Sequence, residues 1–361
     1  MKSAGWETRW GDFFRIAADA CTIMAKFAPR KLLAIAALIV FGLGAAFPPP
    51  LAAKALKKIA TIELPGPSGK AFGSLAIDSE NHLLFCAHAG ADSLYVVDLA
   101  GEKLLHTISG LPGVRGVAYA ADSKKIYASL SGMDSIGVIS GTNFEVLKKI
   151  PTEASPGPMA YAAGFGKIFV SDELARAVAV IDVASDTVVN MVRFESRTAG
   201  IEYDPAAKRI YVNLPDASQL AAIDPATETV AARYALGRCS GNEGMALDAV
   251  HRLAFLSCEE ANLLAVFDLR TNQAAAYLPM AAGGAGVALD AKLDRIYVAC
   301  ASGTISVYEE KGSRCRRMGD VSAAHSVHSL AIDPLTGRIY VPEQEEDGVP
   351  VAQLAVYEER P

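Results

Sequence analysis

Short apolar runs separated by turn residues recur along most of the chain, and residues 199–225 contain one clear copy. The runs IEY, RIYVN and QLAAID show the alternation expected of strands in a sheet that is buried on one or both faces. Asp and Pro stand between the runs, where they favour tight turns. We therefore predict that this segment forms three strands of one small sheet.

An aromatic residue in the second run recurs with a nearly constant spacing. Successive copies are 42, 42, 42, 44, 42 and 43 residues apart. A period of about 40–50 residues built from short strands is typical of propeller blades, so seven copies predict seven blades. The seven aromatic residues are Phe85, Tyr127, Phe169, Tyr211, Phe255, Tyr297 and Tyr340.

The two ends of the chain are predicted to share the last blade. The final copy supplies three strands, whereas the segment 55–64 (ALKKIATIEL) has the pattern of a fourth. Pairing of this segment with residues 354–358 would close the ring and cover two open sheet edges. Because one four-stranded sheet cannot bury both faces by itself, the blades must stack around an axis. We predict an all-β, seven-bladed β-propeller over residues 56–361, closed by this N-terminal strand.

The composition and net charge of the chain exclude some classes of binding partner. The chain is 51% hydrophobic and 20% charged, which fits a well-buried core and excludes global disorder. Residues 56–361 hold 27 basic and 37 acidic residues, a formal charge of −10. An acidic domain is a poor binder of nucleic acid or anionic lipid, so we predict neither as a partner.

Residues 1–55 are predicted to be an N-terminal leader. The uncharged apolar run 32–47 follows Arg30 and Lys31, and three prolines and small residues come after it. A basic flank, an apolar core and a small-residue exit near Ala53 or Ala55 predict a cleaved signal peptide, hence a periplasmic or secreted protein. The alternative is a retained inner-membrane anchor, although 16 residues are short for a span of about 20. Met24 opens a compact signal peptide by itself and is an alternative true start.

The cysteines are compatible with export. Cys239 and Cys258 fall on the same rim of blade 5, so they either form a disulfide or remain two buried thiols. Cys86 and Cys300 lie in strands and are predicted to be core residues. The sequence contains no C-x-x-C, which excludes c-type haem attachment and zinc-ribbon spacing.

Aspartates recur with the blades and invite a metal or catalytic interpretation. We interpret them as structural, because Asp side chains accept hydrogen bonds from their own backbone in tight turns. Those that begin the first turn are Asp78, Asp204, Asp248, Asp290 and Asp333. Those that end the third strand are Asp98, Asp182, Asp224 and Asp268.

The runs IYVN (210–213), IYVA (296–299), IYVP (339–342) and IFVS (168–171) precede third strands, of which those of blades 3 and 4 end in V-I-D and A-I-D. This pattern resembles the YVTN-type, YncE-like β-propeller repeats of bacterial exported proteins over residues 56–361. The run that begins CSGNEG at Cys239 resembles one branch of these proteins. The resemblance implies the fold and says almost nothing about chemistry. The G-H and W-D marks of WD40 repeats are absent from the sequence, which disfavours that family.

Propellers bind ligands at the axis, where loops that lead into first strands meet loops between second and third strands. The residues at these positions are polar and of mixed sign. The predicted ligand-binding rim consists of Lys70, His88, Arg115, Asp172, Glu173, Arg197, Asn213, Asn242, Glu243, His325 and His328. Glu259 and Glu343 occupy the same kind of loop.

Three functions are compatible with such a rim. The first is a non-catalytic platform that binds a small molecule or another exported protein, since the sequence has no G-x-S-x-G, no H-E-x-x-H and no Gly-rich phosphate loop. The second is a lactonase-like hydrolase, with a divalent cation on Glu243, Asn242 and Asp172 and with His325 or His328 carrying a proton. The third is an accessory role to a redox partner. We predict the platform, with no catalytic residue, metal or cofactor.

Two of these interpretations have simpler structural alternatives. His325 and His328 stand near a blade junction, where they could hydrogen-bond to loop carbonyls rather than contact a ligand. Arg115 could pair with Glu243 in the folded protein rather than bind anything.

Overall fold

The structure is a computed structural model and describes residues 56–312 and 314–359. The predicted leader, residues 1–55, lies outside the described residues. Within them, seven four-stranded antiparallel sheets follow one another along the chain. The chain is a seven-bladed β-propeller, as the period of the aromatic residues predicted.

Each of the first four blades runs from an inner strand to an outer one. Blade 1 has β2 (Leu75–Asp78), β3 (Leu83–His88), β4 (Ser93–Asp98) and β5 (Lys103–Ser109). Blade 2 has β6 (Val114–Ala120), β7 (Lys125–Leu130), β8 (Ser135–Ser140) and β9 (Val146–Pro151). Blade 3 has β10 (Pro156–Ala162), β11 (Lys167–Asp172), β12 (Ala177–Asp182) and β13 (Thr187–Arg193). Blade 4 has β14 (Ile201–Asp204), β15 (Arg209–Leu214), β16 (Gln219–Asp224) and β17 (Thr229–Ala235).

The other three blades complete the ring, and short 3₁₀ turns at 89–91, 121–123, 163–165 and 215–217 join some strands. Blade 5 has β18 (Asn242–Asp248), β19 (Leu253–Cys258), β20 (Leu263–Asp268) and β21 (Gln273–Pro279). Blade 6 has β22 (Gly284–Asp290), β23 (Arg295–Cys300), β24 (Thr304–Lys311) and β25 (Arg314–Ser322). Blade 7 has β26 (Ala331–Ile332), β27 (Ile339–Glu346), β28 (Val349–Glu358) and, as its outer strand, β1 (Lys57–Glu63).

The ring closes through β1, as predicted. β1 pairs antiparallel with β28, from Lys57 opposite Glu358 to Glu63 opposite Gln353. The pairing covers the edge of β28 and the edge of β1 at the same time, so neither is left open.

The core consists of seven apolar clusters, and each one fills the space between two neighbouring blades. Second strands such as β15 are buried on both faces and therefore read as nearly continuous apolar runs. Outer strands such as β17 alternate, because one face meets solvent. The seven reference aromatic residues are all buried in these clusters, since each lies within a second strand.

The recurring aspartates hold tight turns through Oδ1, as interpreted from the sequence. Oδ1 of Asp78 accepts hydrogen bonds from the backbone N–H groups of Glu80 and Asn81, at 3.1 and 3.2 Å. At the end of a third strand, Oδ1 of Asp182 accepts the N–H of Ser185 at 2.8 Å. These bonds fix the tight turns that let each blade reverse direction.

Candidate functional site

A cavity of about 730 Å³ lies on the axis, surrounded by the inner strands of the seven blades. One apolar residue from each blade, always at the same position of the repeat, contributes to its wall, and five of the seven are mostly buried between the blades. These residues form what we call the apolar ring: Leu75, Val117, Met159, Ile201, Met245, Val287 and Leu330. The wall around them contains several glycines and alanines, so no bulky side chains fill the axis.

One end of the cavity has a charged mouth, which we define as Arg115, Glu173, Glu243, Glu259 and His328. Of these, Arg115, Glu243 and His328 share one repeat position, two residues before the apolar ring. Their backbone carbonyls accept hydrogen bonds from the inner strands of the preceding blades, at 2.6, 2.8 and 2.9 Å. The backbone at the mouth is therefore fixed, and only the side chains differ from blade to blade.

The mouth is partly neutralised by ion pairs. Nη1 of Arg115 lies 3.2 Å from Oε2 of Glu173, and the guanidinium of Arg197 makes a two-pronged contact with the carboxylate of Glu243. The pairing of Arg115 with Glu243 considered from the sequence is therefore wrong. The loop after β11 brings Glu173 to Arg115, and the loop before β14 brings Arg197 to Glu243.

The cavity also contains a carboxylate that lies outside the predicted rim, Glu202. The inner-strand residue opposite the reference aromatic is Glu202 in blade 4. It is alanine in the other six blades: Ala76, Ala118, Ala160, Ala246, Ala288 and Ala331. This break in the repeat is the signal that would have identified Glu202 from the sequence.

The surroundings of Glu202 change its acidity. Its side chain is exposed inside the cavity, which is walled by the inner strands of the blades. Removal from bulk water raises the pKa of Glu202 to about 7. A carboxylate held among apolar side chains favours a compensating positive charge or hydrogen-bond donor.

Two predicted rim residues, His88 and Asp172, are buried rather than exposed at the rim. They occupy the last position of their second strands, where other blades have Leu130, Leu214 or Cys300, all buried. That position faces the space between blades, which corrects their assignment to an exposed rim. Glu343 sits at the equivalent position and is buried as well.

The contacts of these two residues are internal. The ring of His88 stacks on Phe72 with centroids 4.0 Å apart, and its Nδ1 lies 3.0 Å from Oη of Tyr95. Oδ2 of Asp172 accepts a hydrogen bond from the backbone N–H of Glu153 at 3.2 Å. Burial lowers the pKa of His88 and raises that of Asp172 to about 7.

Asn213 and Asn242 are also buried, so they too do not lie on an exposed rim. Nδ2 of Asn213 donates to the backbone oxygens of Glu243 and Gly244, at 3.2 and 3.1 Å. Nδ2 of Asn242 donates to Oδ1 of Asn213 at 3.0 Å and to the backbone oxygen of Gln219 at 2.9 Å. The two amides connect blade 4 to blade 5 and hold the backbone beneath the mouth.

Lys70 and His325 are exposed in loops and lie outside the set of residues that lines the cavity. His328, in contrast, is exposed at the mouth. Of the predicted rim, Arg115, Glu173, Glu243 and His328 therefore surround one opening, and Arg197 supports it through Glu243. Their part in ligand binding stays a prediction.

The cation site of the lactonase hypothesis is not assembled. Asp172 and Asn242 direct their polar atoms into their own or adjacent blades, and Glu243 is paired with Arg197. Within residues 56–312 and 314–359, acidic and histidine side chains close enough to share an ion occur elsewhere, at Asp248, His251 and Glu310.

Of the two alternatives left open for Cys239 and Cys258, the structure has the disulfide. Cys239 and Cys258 are bonded, with Cα atoms 5.1 Å apart, and both are buried. The bond joins the loop before β18 to the end of β19. Cys86 and Cys300 are free and buried, as expected of core residues.

Comparison with known proteins supports the fold and nothing finer. No known protein family matches the chain, and no curated protein matches it either. Among solved structures, Kuenenia stuttgartiensis hydrazine synthase is similar, with a TM-score of 0.67 and 14% sequence identity. The match covers 78% of this chain and 94% of that chain. The resemblance to YVTN-type repeats therefore stays a prediction. None of the helices in the described part of the chain has the length and apolar character needed to span a membrane.

Proposed function

We propose that the protein is an exported binding platform that holds a small molecule in its axial cavity. The observation that carries this proposal is the open cavity of about 730 Å³, with Glu202 inside the charged mouth and one apolar residue from each of the seven blades in its wall. Its volume lies in the range of ordinary ligand pockets, about 300–1,000 Å³. A plugged axis would have favoured a protein partner on the rim instead.

The lining favours one class of ligand, a small organic cation with an apolar body. Glu202 offers a negative charge inside the cavity, and an ammonium group close to it would gain Coulomb energy that offsets part of the hydration it loses on entry. The apolar ring would contact the body of the ligand, and each methylene buried there is worth about 0.8 kcal/mol. The ion pairs at the mouth, Arg115–Glu173 and Arg197–Glu243, would admit the ligand without adding a strong net charge.

Export is part of the proposal. The predicted leader suggests it, and the Cys239–Cys258 bridge supports an oxidising compartment, where disulfides persist. A periplasmic or secreted location would be tested by fractionation of cells that express the full chain. Recovery of the full chain in the reducing cytosol, with both thiols free, would contradict it.

The ligand class is tested with three probes of equal length: n-hexylammonium, hexanol and hexanoate. We expect hexylammonium at millimolar concentration to raise the melting temperature and to give a saturable calorimetric isotherm. Hexanol should bind more weakly and hexanoate least. Equal binding of all three, or preference for hexanoate, would contradict the proposal.

The variant Glu202→Ala places the residue of the other six blades at this position, so it should fold normally. We expect it to lose the preference for hexylammonium over hexanol. Glu80→Gln, which removes an exposed acid outside the cavity, serves as the charge-matched control and should behave as the wild type. If Glu202→Ala binds hexylammonium as tightly as the control does, Glu202 is not the anchor.

A further inference from the structure

Two acidic residues and a histidine meet where blades 5 and 6 pack together. Asp248 ends β18, His251 follows in the turn, and Glu310 lies near the end of β24. Nδ1 of His251 is 2.9 Å from Oδ2 of Asp248 and 3.0 Å from Oε1 of Glu310. Because the mouth lies at the start of the inner strands and Asp248 at the end of one, this cluster is on the opposite rim from the charged mouth.

Glu310 departs from the repeat in the same way as Glu202. Its backbone N–H donates to the residue before the second strand, Asp294, at 2.9 Å. The residues that make the equivalent bond in blades 1, 3 and 5 are Leu99, Val183 and Leu269, and all are buried. An apolar position between two blades is therefore occupied by a carboxylate.

This carboxylate has no hydrogen-bond donor. Glu310 is 1% exposed, and neither Oε1 nor Oε2 accepts a hydrogen bond. Nδ1 of His251 lies 3.0 Å from Oε1 as an ion-pair contact, but its hydrogen bond is to Asp248. A buried carboxylate left without a donor is costly, and a bound cation would remove that cost.

We propose that Asp248, His251 and Glu310 bind a divalent transition-metal ion of the Zn²⁺ type between blades 5 and 6. The three donor atoms lie within 4.8 Å of one another. Ligands at about 2.0–2.1 Å from a tetrahedral ion are about 3.3 Å apart, which is close to the two separations around Nδ1. Small side-chain movements therefore bring all three atoms to one ion.

The ligand set selects the metal. An imidazole nitrogen suits Zn²⁺ and related ions, whereas Ca²⁺ and Mg²⁺ prefer oxygen ligands only. Three protein ligands leave a fourth position open. The side chain of His251 is 38% exposed, so an ion can approach the cluster from the side of this residue.

The repeat itself provides variants that remove the site without disturbing the fold. In blade 1 the residue equivalent to His251 is Asn81, whose Nδ2 donates to Oδ2 of Asp78 at 2.7 Å. His251→Asn therefore keeps the turn and removes the nitrogen ligand. Glu310→Leu restores the leucine of blades 1 and 5. Glu309→Gln is the matched control, since it removes one negative charge from the adjacent residue, which pairs with Arg295 instead.

The experiment is titration of the purified, chelator-treated full chain with Zn²⁺ by calorimetry and with Co²⁺ by visible absorption. We expect one ion per chain, tetrahedral-type Co²⁺ bands and a rise in melting temperature with Zn²⁺, none of which Ca²⁺ or Mg²⁺ should produce. His251→Asn and Glu310→Leu should lower the affinity for Zn²⁺ by about tenfold or more, since loss of even an outer-sphere partner can cause a change of that size. Glu309→Gln should bind as the wild type does.

Two results would overturn the proposal. One is a folded wild type that binds no Zn²⁺ or Co²⁺ at equimolar concentration, which would mean that a shared proton alone occupies the cluster. The other is equal binding by Glu310→Leu and Glu309→Gln, which would place the ion elsewhere.

Discussion

The Nζ atom of Lys58 lies 2.9 Å from Oε2 of Glu343, although the two residues are 285 positions apart in the chain. Lys58 belongs to β1 and Glu343 to β27, so this ion pair crosses β28 and joins the first strand to the last blade. Glu343 is buried and also accepts hydrogen bonds from Gln353 and Tyr357, at 2.8 and 3.1 Å. A residue that the sequence analysis assigned to a loop at the axis therefore acts in ring closure.

Replacement of Lys58 by methionine should destabilise the closed ring. The change removes the cationic partner of a buried carboxylate, which costs about 1–3 kcal/mol. Chemical denaturation would measure the loss. Lys57→Met, at the exposed neighbouring position, is the control and should change the free energy of unfolding little. Equal stability of the two variants would show that the pair does not contribute to closure.

Reduction or mutation of the Cys239–Cys258 disulfide should destabilise the protein. The bond spans 19 residues, and closure of a loop of that size is worth roughly 3 kcal/mol. We expect a reductant to lower the melting temperature of the wild type. The double variant Cys239→Ala/Cys258→Ala should start lower and not respond to the reductant. If an alkylating reagent modifies Cys239 and Cys258 of the wild type without prior reduction, the disulfide is absent and this prediction is wrong.

Asp172 should make stability fall as the pH rises. Burial raises its pKa from 3.8 to about 7 in the folded protein, so between these values the folded state holds a proton that the unfolded state has released. Its contribution to stability is thus largest below pH 4 and is lost on the way to pH 7. Asp172→Asn should be more stable than the wild type at pH 8, with the difference shrinking in acid.

Asp182 is the control, because its contribution to stability should change with pH in the opposite direction. Hydrogen bonds from the backbone and side chain of Ser185 lower the pKa of Asp182. Asp182→Asn should therefore lose stability near neutral pH, and the difference should vanish as the pH falls through the range where Asp182 is protonated. Urea denaturation at several pH values measures both variants. A flat difference for Asp172→Asn across pH 4–8 would contradict the assigned pKa.

Gly244 should not tolerate a side chain. A Cβ there would overlap the backbone oxygen of Ala285, because neighbouring inner strands approach closely around the axis. We expect Gly244→Ala to cost about 1–3 kcal/mol, the usual range for overpacking. Gly164→Ala is the control, since its Cβ would meet nothing nearer than 4.0 Å. Thermal unfolding of the two variants should separate them, and equal midpoints would mean that the blades move apart easily.

The architecture was predictable because the repeat encodes it. Seven buried aromatic residues at a nearly constant spacing determine seven blades, and the unpaired pattern at 55–64 identifies the closing strand. The disulfide was predictable only as one alternative. Its formation depends on how the loop before β18 lies against β19, which spacing does not determine.

The site was less predictable, because a polar residue at a loop position shows its burial only when the equivalent positions of the other blades are compared. His88 and Asp172 are polar but occupy a position that is Leu130 or Leu214 elsewhere, so comparison of the copies would have placed them in the core. The same comparison would have found Glu202 among alanines. The partner of Arg115 could not be predicted, since the sequence places both Glu173 and Glu243 in loops at the same rim. The conformation of these loops determines which of the two contacts Arg115.

The pairing of β1 with β28 has a consequence for synthesis. Lys58 leaves the ribosome 285 residues before Glu343, which is roughly 15–60 s at about 5–20 residues per second. Throughout that interval the first strand has no place to fold, while the blades behind it assemble. Any factor that binds residues 57–63 in that time would therefore keep the propeller ring open until the factor is released.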